Sequence, residues 1–258
     1  MTQPALLSLL DEGVLTLTLN RPERLNALST GLLADLAAAL DEGVAAGARA
    51  VLLTGAGRAF SSGADLAGDG GVTANLGDTL TAFYHPLFER IAGLGLPIVC
   101  GLNGPAVGAG VALALAADIV VMARSAYLQL GFVNIGLVPD AGATWLVARG
   151  AGRAKALEMV LLGEQMTAQQ AQAAGLVARV VDDEALAAEA LGLARRLASG
   201  PTIAVGLIRR QVAAALDLDL AETMALEASN QTTAGRTSDF REGVMAFLNK
   251  RAPRFRGE

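Results

Sequence analysis

Ile91 to Ala117 carries no charged residue, and its length alone would allow it to cross a membrane. Six glycines interrupt it, together with Pro97, Asn103 and Pro105, and Asp118 follows at once. These breaks predict a buried strand, a tight turn and a buried helix rather than a lipid-spanning one. The rest of the chain repeats that grammar. Val14 to Leu19 alternates with period two and runs into the turn signal Asn20-Arg21-Pro22. Ser29 then caps a helix predicted from about Gly31 to Leu40, and Ala50 to Thr54 is a strand stopped by Gly55-Ala56-Gly57.

Beyond these, the pattern predicts helices over Thr79 to Ala92 and Ala109 to Ala116, with strands over Ile98 to Gly101 and Ile119 to Met122. Further helices are expected over Asp140 to Ala148, Ala154 to Leu162 and Ala168 to Ala174, with a last short strand from Ala178 to Val181. From Asp183 only helical patterns remain: Glu184 to Ala198, Thr202 to Leu216, Leu220 to Gln231 and Ser238 to Lys250. Strands alternating with helices define an α/β fold. We divide it into a core over residues 1–198 and a helical extension over 199–258, within one domain because no linker or low-complexity tract separates them.

Composition narrows the function classes. Hydrophobic residues make up 53% of the chain and charged ones 17%, an excess that suits buried surface at subunit contacts. A net charge of -5 gives no basic face for nucleic acid, and Arg209-Arg210 is expected on a solvated helix face. The single cysteine, Cys100, sits in an apolar run and reads as a buried, inert thiol in a reducing cytoplasm. Met1-Thr2-Gln3-Pro4 has no signal-peptide character. The expected protein is cytoplasmic and binds no membrane, and no cluster of ligand residues has metal-site spacing.

Two glycine-rich turns stand at strand-to-helix junctions: Phe60-Ser61-Ser62-Gly63-Ala64-Asp65-Leu66 and Asn103-Gly104-Pro105-Ala106-Val107-Gly108-Ala109-Gly110. Small residues let a ligand approach the main chain, and the first amides of a helix have no partner within it. Each turn alone is ordinary turn chemistry. Joined to Leu19-Asn20-Arg21-Pro22-Glu23-Arg24-Leu25-Asn26-Ala27-Leu28 and to Gly136-Leu137-Val138-Pro139-Asp140-Ala141-Gly142, they resemble the crotonase, or enoyl-CoA hydratase/isomerase, family along nearly the whole chain.

That resemblance implies a spiral of β-β-α turns, a helical C-terminal region that forms a homotrimer or a dimer of trimers, and an acyl-CoA thioester as substrate. Coenzyme A then belongs to the substrate, so no separate cofactor is implied. The family's oxyanion amides fall on Ala64 and Ala109. Its CoA-binding segments fall on Arg24, Leu25 and Ala27 and on Ser62, Gly63, Asp65 and Leu66. Gly108, Phe132 and Tyr84 are expected beside the acyl group, and Phe247 and Lys250 near the CoA of a neighbouring subunit.

The departures from the family pattern bear on the reaction. The two glutamates by which family hydratases activate water fall on Ala112 and Phe132, which cannot act as acids or bases. Asp140 offers a carboxylate instead. From pattern alone it is a helix cap; some isomerases of the family place an acid-base aspartate at this point. An apolar lining supplied by Phe132 and Val138 is expected to raise its pKa. Leu137 to Asp140, Thr144 to Leu146, Val181 to Glu184, Arg241 to Val244 and Ala246 to Leu248 look like the family's phenylacetate-pathway isomerases, which act on a ring epoxide. The expectation is an acyl-CoA isomerase. Its rivals are a hydratase in which Asp140 activates water, and a CoA-thioester-binding subunit without turnover.

Other polar residues are given lesser roles. His85, the only histidine, is expected to be a surface or packing residue, and with no Gly-x-Ser-x-Gly elbow it forms no hydrolase with Ser61 or Ser62. Asp118 is expected in a structural ion pair, because an unpaired buried carboxylate would be costly. Asp65 is expected to cap the helix after Gly63.

Overall fold

The computed structural model describes residues 3–68 and 75–258; Met1 and Thr2, the start of the segment read for a signal peptide, lie outside them. The chain opens with a hairpin, β1 (Leu6–Asp11) and β2 (Val14–Leu19), turning through Glu12 (φ 48°) and Gly13 (φ 77°). Two left-handed residues match the twist of the flanking strands. The predicted strand is β2. Its partner β1 escapes the sequence pattern because Leu6-Leu7-Ser8-Leu9-Leu10 does not alternate and, at the sheet edge, faces solvent on most positions.

Ser29 caps α1 (Thr30–Ala45) as expected, its side chain accepting from the Leu32 N–H. Then come β3 (Ala50–Gly55), the helical stretch α2 (Leu76–Thr79), a π turn over Leu80–Tyr84, and α3 (His85–Gly93). The stretch read as free of charge becomes β4 (Ile98–Leu102), the very short β5 (Ala106–Val107) and α4 (Ala109–Leu115), a helix in which every residue is buried. Next are β6 (Ile119–Ala123), β7 (Tyr127–Gln129), a 3-10 turn over Gly131–Ile135, and α5 (Ala143–Leu162), kinked at Gly152. The core closes with β8 (Gln165–Thr167), α6 (Ala168–Ala173), β9 (Arg179–Val181) and α7 (Leu186–Ala198).

The strands form two sheets. The larger runs β1-β2-β3-β4-β6-β9 and is parallel beyond the hairpin; the smaller runs β5-β7-β8. A strand of the first sheet, a short strand of the second and a helix make one turn, as in β4-β5-α4. Single bridges continue the smaller stack across earlier turns, pairing Leu28 with Ala64 and Ser61 with Ala106. The expected spiral of β-β-α units is therefore present. This stack brings the two glycine-rich turns side by side.

α8 (Thr202–Ala215), α9 (Leu220–Ala234) and α10 (Ser238–Leu248) follow. Arg209 anchors α8, contrary to the expectation of a solvated face: it pairs with Asp118 (2.5 Å) and donates to the Ile91, Ala92 and Leu94 carbonyls. Asp118 also accepts from the Ile98 N–H at 2.7 Å, so its structural role is as expected. Arg210 stays exposed. Arg49 fastens the tail at a second point, donating to Gly200, Thr202 and the Phe255 carbonyl. Cys100 is buried, which pushes its thiol pKa up. Among the described residues no helix is long and apolar enough to cross a membrane, and no acidic, histidine or cysteine cluster could hold a metal.

Candidate active site

The site is built on a clamp between the turn at residues 20–28 and the first glycine-rich loop. Leu25 and Asn26 are successive left-handed residues (φ 49° and 54°), a conformation asparagine tolerates better than most. Asn26 is fully buried. Its amide donates to the Ala56 and Ala59 carbonyls (2.9 and 2.8 Å) and its oxygen accepts from the Arg21 N–H at 2.8 Å. Arg21 donates to the Ala27 carbonyl (2.7 Å) and pairs with Asp65 at 2.8 Å. Burial alone would raise the Asp65 pKa, but the hydrogen bond and charge of Arg21 outweigh it and hold the carboxyl below its ordinary value.

Asp65 thus caps no helix, contrary to the expectation. It braces the loop through Arg21 and accepts from the Gly68 N–H at 2.9 Å, and the next described helix starts at Leu76 under an Asn75 cap. Neither Arg21 nor Asn26 was singled out from the sequence; the visible signal was an asparagine beside an Arg-Pro turn, where a left-handed residue is needed. Removing three buried hydrogen bonds in Asn26→Ala is expected to destabilise the fold by about 3 kcal/mol, read as a lower urea midpoint. An unchanged midpoint would refute the clamp.

The clamp aims the Ala64 amide. The Leu28 N–H donates to the Gly63 carbonyl (2.8 Å) and the Asp65 N–H to the Leu28 carbonyl (3.2 Å), so the main chain is bonded on both sides of Ala64. Among the described residues, the Ala64 and Ala109 N–H groups donate to no main-chain carbonyl. Ala109 is the first residue of α4, after Gly108 (φ 53°). The two loops touch: a Cβ added to Gly63 (φ 87°) would lie 2.7 Å from the Val107 carbonyl oxygen and 3.4 Å from the Ala109 nitrogen. One added to Gly110 would lie 2.7 Å from the Ser61 carbonyl oxygen. Glycine is required at both positions for two free amides to converge.

These amides open into a cavity of about 500 Å³. Ser62, Gly63, Ala64, Asp65, Leu66, Tyr84, Gly108, Ala109, Phe132 and Asp140 all line it, joining expected site residues from five separate segments. Tyr84 is buried and donates its hydroxyl to the Leu28 carbonyl (3.3 Å), while the Phe132 ring approaches Gly108. Arg24, Leu25 and Ala27 do not line the cavity. The Ser62 N–H and hydroxyl hold the Leu25 and Arg24 carbonyls beside it (2.9 and 3.4 Å), and Ala27 is buried. Phe247, 82% exposed, and Lys250 lie outside the cavity of their own chain. Ala112 is buried in α4, and neither it nor Phe132 carries an ionisable group.

Asp140 is not a helix cap. α5 begins at Ala143 under a Gly142 cap (φ 80°), and Ala141 is itself left-handed (φ 51°). Such a non-glycine residue costs about 1 kcal/mol. The two residues swing the chain so that the Asp140 side chain enters the cavity while its carbonyl accepts from the Ala143 N–H at 2.8 Å. Its Oδ1 is buried without a hydrogen-bond partner among the described residues. Burial raises its pKa from 3.8 to about 6, against smaller lowering effects of its own backbone N–H and of the His85 charge. The expected upward shift is present. Val138, expected to help cause it, is 79% exposed.

Two free amides and a half-buried carboxylate lining one cavity can stabilise a thioester enolate while a proton moves. The whole chain superimposes on crystalline enoyl-CoA hydratase from Bacillus anthracis with a TM-score of 0.94 at 32% identity, covering 99% of this chain and 100% of that one. The profile of the family described as Enoyl-CoA hydratase/isomerase matches residues 10–258, and the chain belongs to that family. Among curated relatives, 1,2-epoxyphenylacetyl-CoA isomerase of Escherichia coli is 47% identical over 98% of each chain. The 2,3-dehydroadipyl-CoA hydratase of Escherichia coli is 37% identical over 95% of this chain and 96% of its own.

Proposed function

We propose that the protein is an acyl-CoA isomerase in which Asp140 carries the proton and the Ala64 and Ala109 amides hold the thioester oxygen. The observation that carries this reading is that, among the described residues, two carboxylates line the cavity: Asp65, bound to Arg21, and Asp140, whose Oδ1 has no partner. In a 3-enoyl thioester the Asp140 carboxylate removes a proton from the carbon next to the carbonyl. The electron pair spreads onto the oxygen as an enolate that accepts from both amides. The same carboxyl group returns the proton to the far end of the conjugated system, moving the double bond and leaving the protein unchanged.

Ala112 and Phe132 support isomerisation over hydration, since neither can activate water. The likeness to 1,2-epoxyphenylacetyl-CoA isomerase supports a ring epoxide as a second substrate to test. The likeness to hydratases supports a second reading, in which Asp140 activates water. A thioester-binding subunit without turnover is the third. Ultraviolet detection of conjugation with a 3-enoyl-CoA, run beside hydration of crotonyl-CoA, separates them. Isomerisation without appreciable hydration is the expected result; strong hydration supports the second reading, and binding without either reaction the third.

Because the working form is the carboxylate, kcat/KM is expected to be level above about pH 6 and to fall about tenfold per unit below it. A profile still level two units lower would exclude Asp140 as the base. We place the enzyme in the cytoplasm as a homotrimer or dimer of trimers, built through the helical region after residue 198. Leu220 (75% exposed) and Phe247 in α9 and α10 support such an assembly.

A further inference from the structure

Asp140 stands between two cavities. The first, already described, holds the oxyanion amides. The second, of about 520 Å³, is lined by Leu76, Leu80, Leu137, Trp145, His85 and other residues of the same segments, with Asp140 again in its wall. His85 does not line the first cavity, and neither Ala64 nor Ala109 lines the second. The π turn over Leu80–Tyr84 ends at Tyr84, which lines the first cavity, and His85, the first residue of α3, lines the second. Such turns often mark functional positions. His85 is exposed, while the Oδ1 of Asp140 is buried and unpartnered among the described residues.

We infer that His85 is a positioning residue that acts on the substrate through Asp140, its charge in the second cavity favouring the ionised carboxyl group. The inference rests on Asp140 being the acid-base group. An imidazolium in the second cavity attracts the carboxylate and favours the proton-accepting form, in the direction its charge acts on Asp140. Among the described residues, the other titratable groups in the two walls are already engaged: Asp65 with Arg21, and the Tyr84 hydroxyl with Leu28. Arg149, on α5, stacks on Trp145 and pairs with Asp217.

The test is the titration of Asp140 itself, followed by carbon-13 NMR of labelled aspartate carboxyls and assigned by the resonance lost in Asp140→Asn. In His85→Gln, which keeps a polar side chain but no charge, the midpoint is expected to rise by a few tenths of a pH unit. His85→Lys, which keeps the charge, is expected to stay at or below the unsubstituted protein. In the isomerase assay the acid limb of kcat/KM follows the same order, with a loss of about 1.5- to 2-fold in kcat in His85→Gln at and below the midpoint and little change in KM. Equal midpoints in the unsubstituted protein and His85→Gln would overturn the inference, as would a rise in both variants. Since the titration needs no turnover, absence of isomerisation would count against the proposed reaction and leave the His85 result to be judged on its own.

Discussion

Asp140→Asn is expected to lower isomerisation of a 3-enoyl-CoA by about a thousandfold or more, because the amide cannot accept the proton whose transfer typically contributes about 10² to 10⁴ in rate. The same substitution is expected to stabilise the folded protein. The carboxyl pKa is raised from 3.8 in the unfolded chain to about 6 in the folded one, so ionisation favours unfolding. Its neutral form is favoured in the fold; that advantage is complete below pH 3.8 and is lost as the pH rises through about 6. Above that, the buried charge weakens the native state by up to about 3 kcal/mol, which Asn would recover. Urea unfolding at pH 8 should show Asp140→Asn the more stable, with the difference shrinking as the pH is lowered toward 4. Full activity in the variant would remove Asp140 from the mechanism, and equal stability at pH 8 would mean that its charge is solvated.

The second large effect is expected at a residue with no side chain. Gly110→Ala places a Cβ 2.7 Å from the Ser61 carbonyl oxygen and 2.8 Å from the Ser61 Cβ, contacts closer than packed atoms adopt. Neither partner can yield, because the Ser61 carbonyl accepts from the Val107 N–H and its hydroxyl donates to Asn26. The start of α4 must move, and the Ala109 amide moves with it. Misplacing one oxyanion donor lowers kcat about 10² to 10³-fold, with less effect on KM because the donor matters most as charge develops. Circular dichroism would show the variant folded. A folded Gly110→Ala protein with unchanged kcat would show that Ala109 does not serve the thioester oxygen.

The helices were largely legible in the sequence because their limits are local: Ser29 caps α1, and Gly152 breaks α5 between two apolar runs. Apart from the edge strand β1, the strands of the larger sheet were legible as alternating or apolar runs, whereas β5 and β7, of two and three residues, left no readable period. Asp140 was recognised through its motif but misplaced on a helix, since the pattern does not reveal that Ala141 is left-handed. Asn26, Arg209 and the salt bridge of Arg21 with Asp65 were missed because their partners are distant in the chain. His85 is exposed, in keeping with its reading as a surface or packing residue, but nothing near it in sequence shows that it shares a cavity wall with Asp140.

The spiral assigns the two halves of the chemistry to different kinds of coding. The oxyanion donors we propose are main-chain groups whose placement follows from the stacking of successive turns, seen where Ser61 bridges Ala106, so a side chain at 64 or 109 that fits is expected to preserve them. The acid-base group we propose, Asp140, is a side chain on the loop before α5, outside the strands and bridges of that stack. On the proposed mechanism, a scaffold organised this way would keep its capacity to make an enolate while single substitutions change the fate of that enolate. One backbone can therefore support neighbouring reactions, and the name of the reaction resides in a few replaceable side chains.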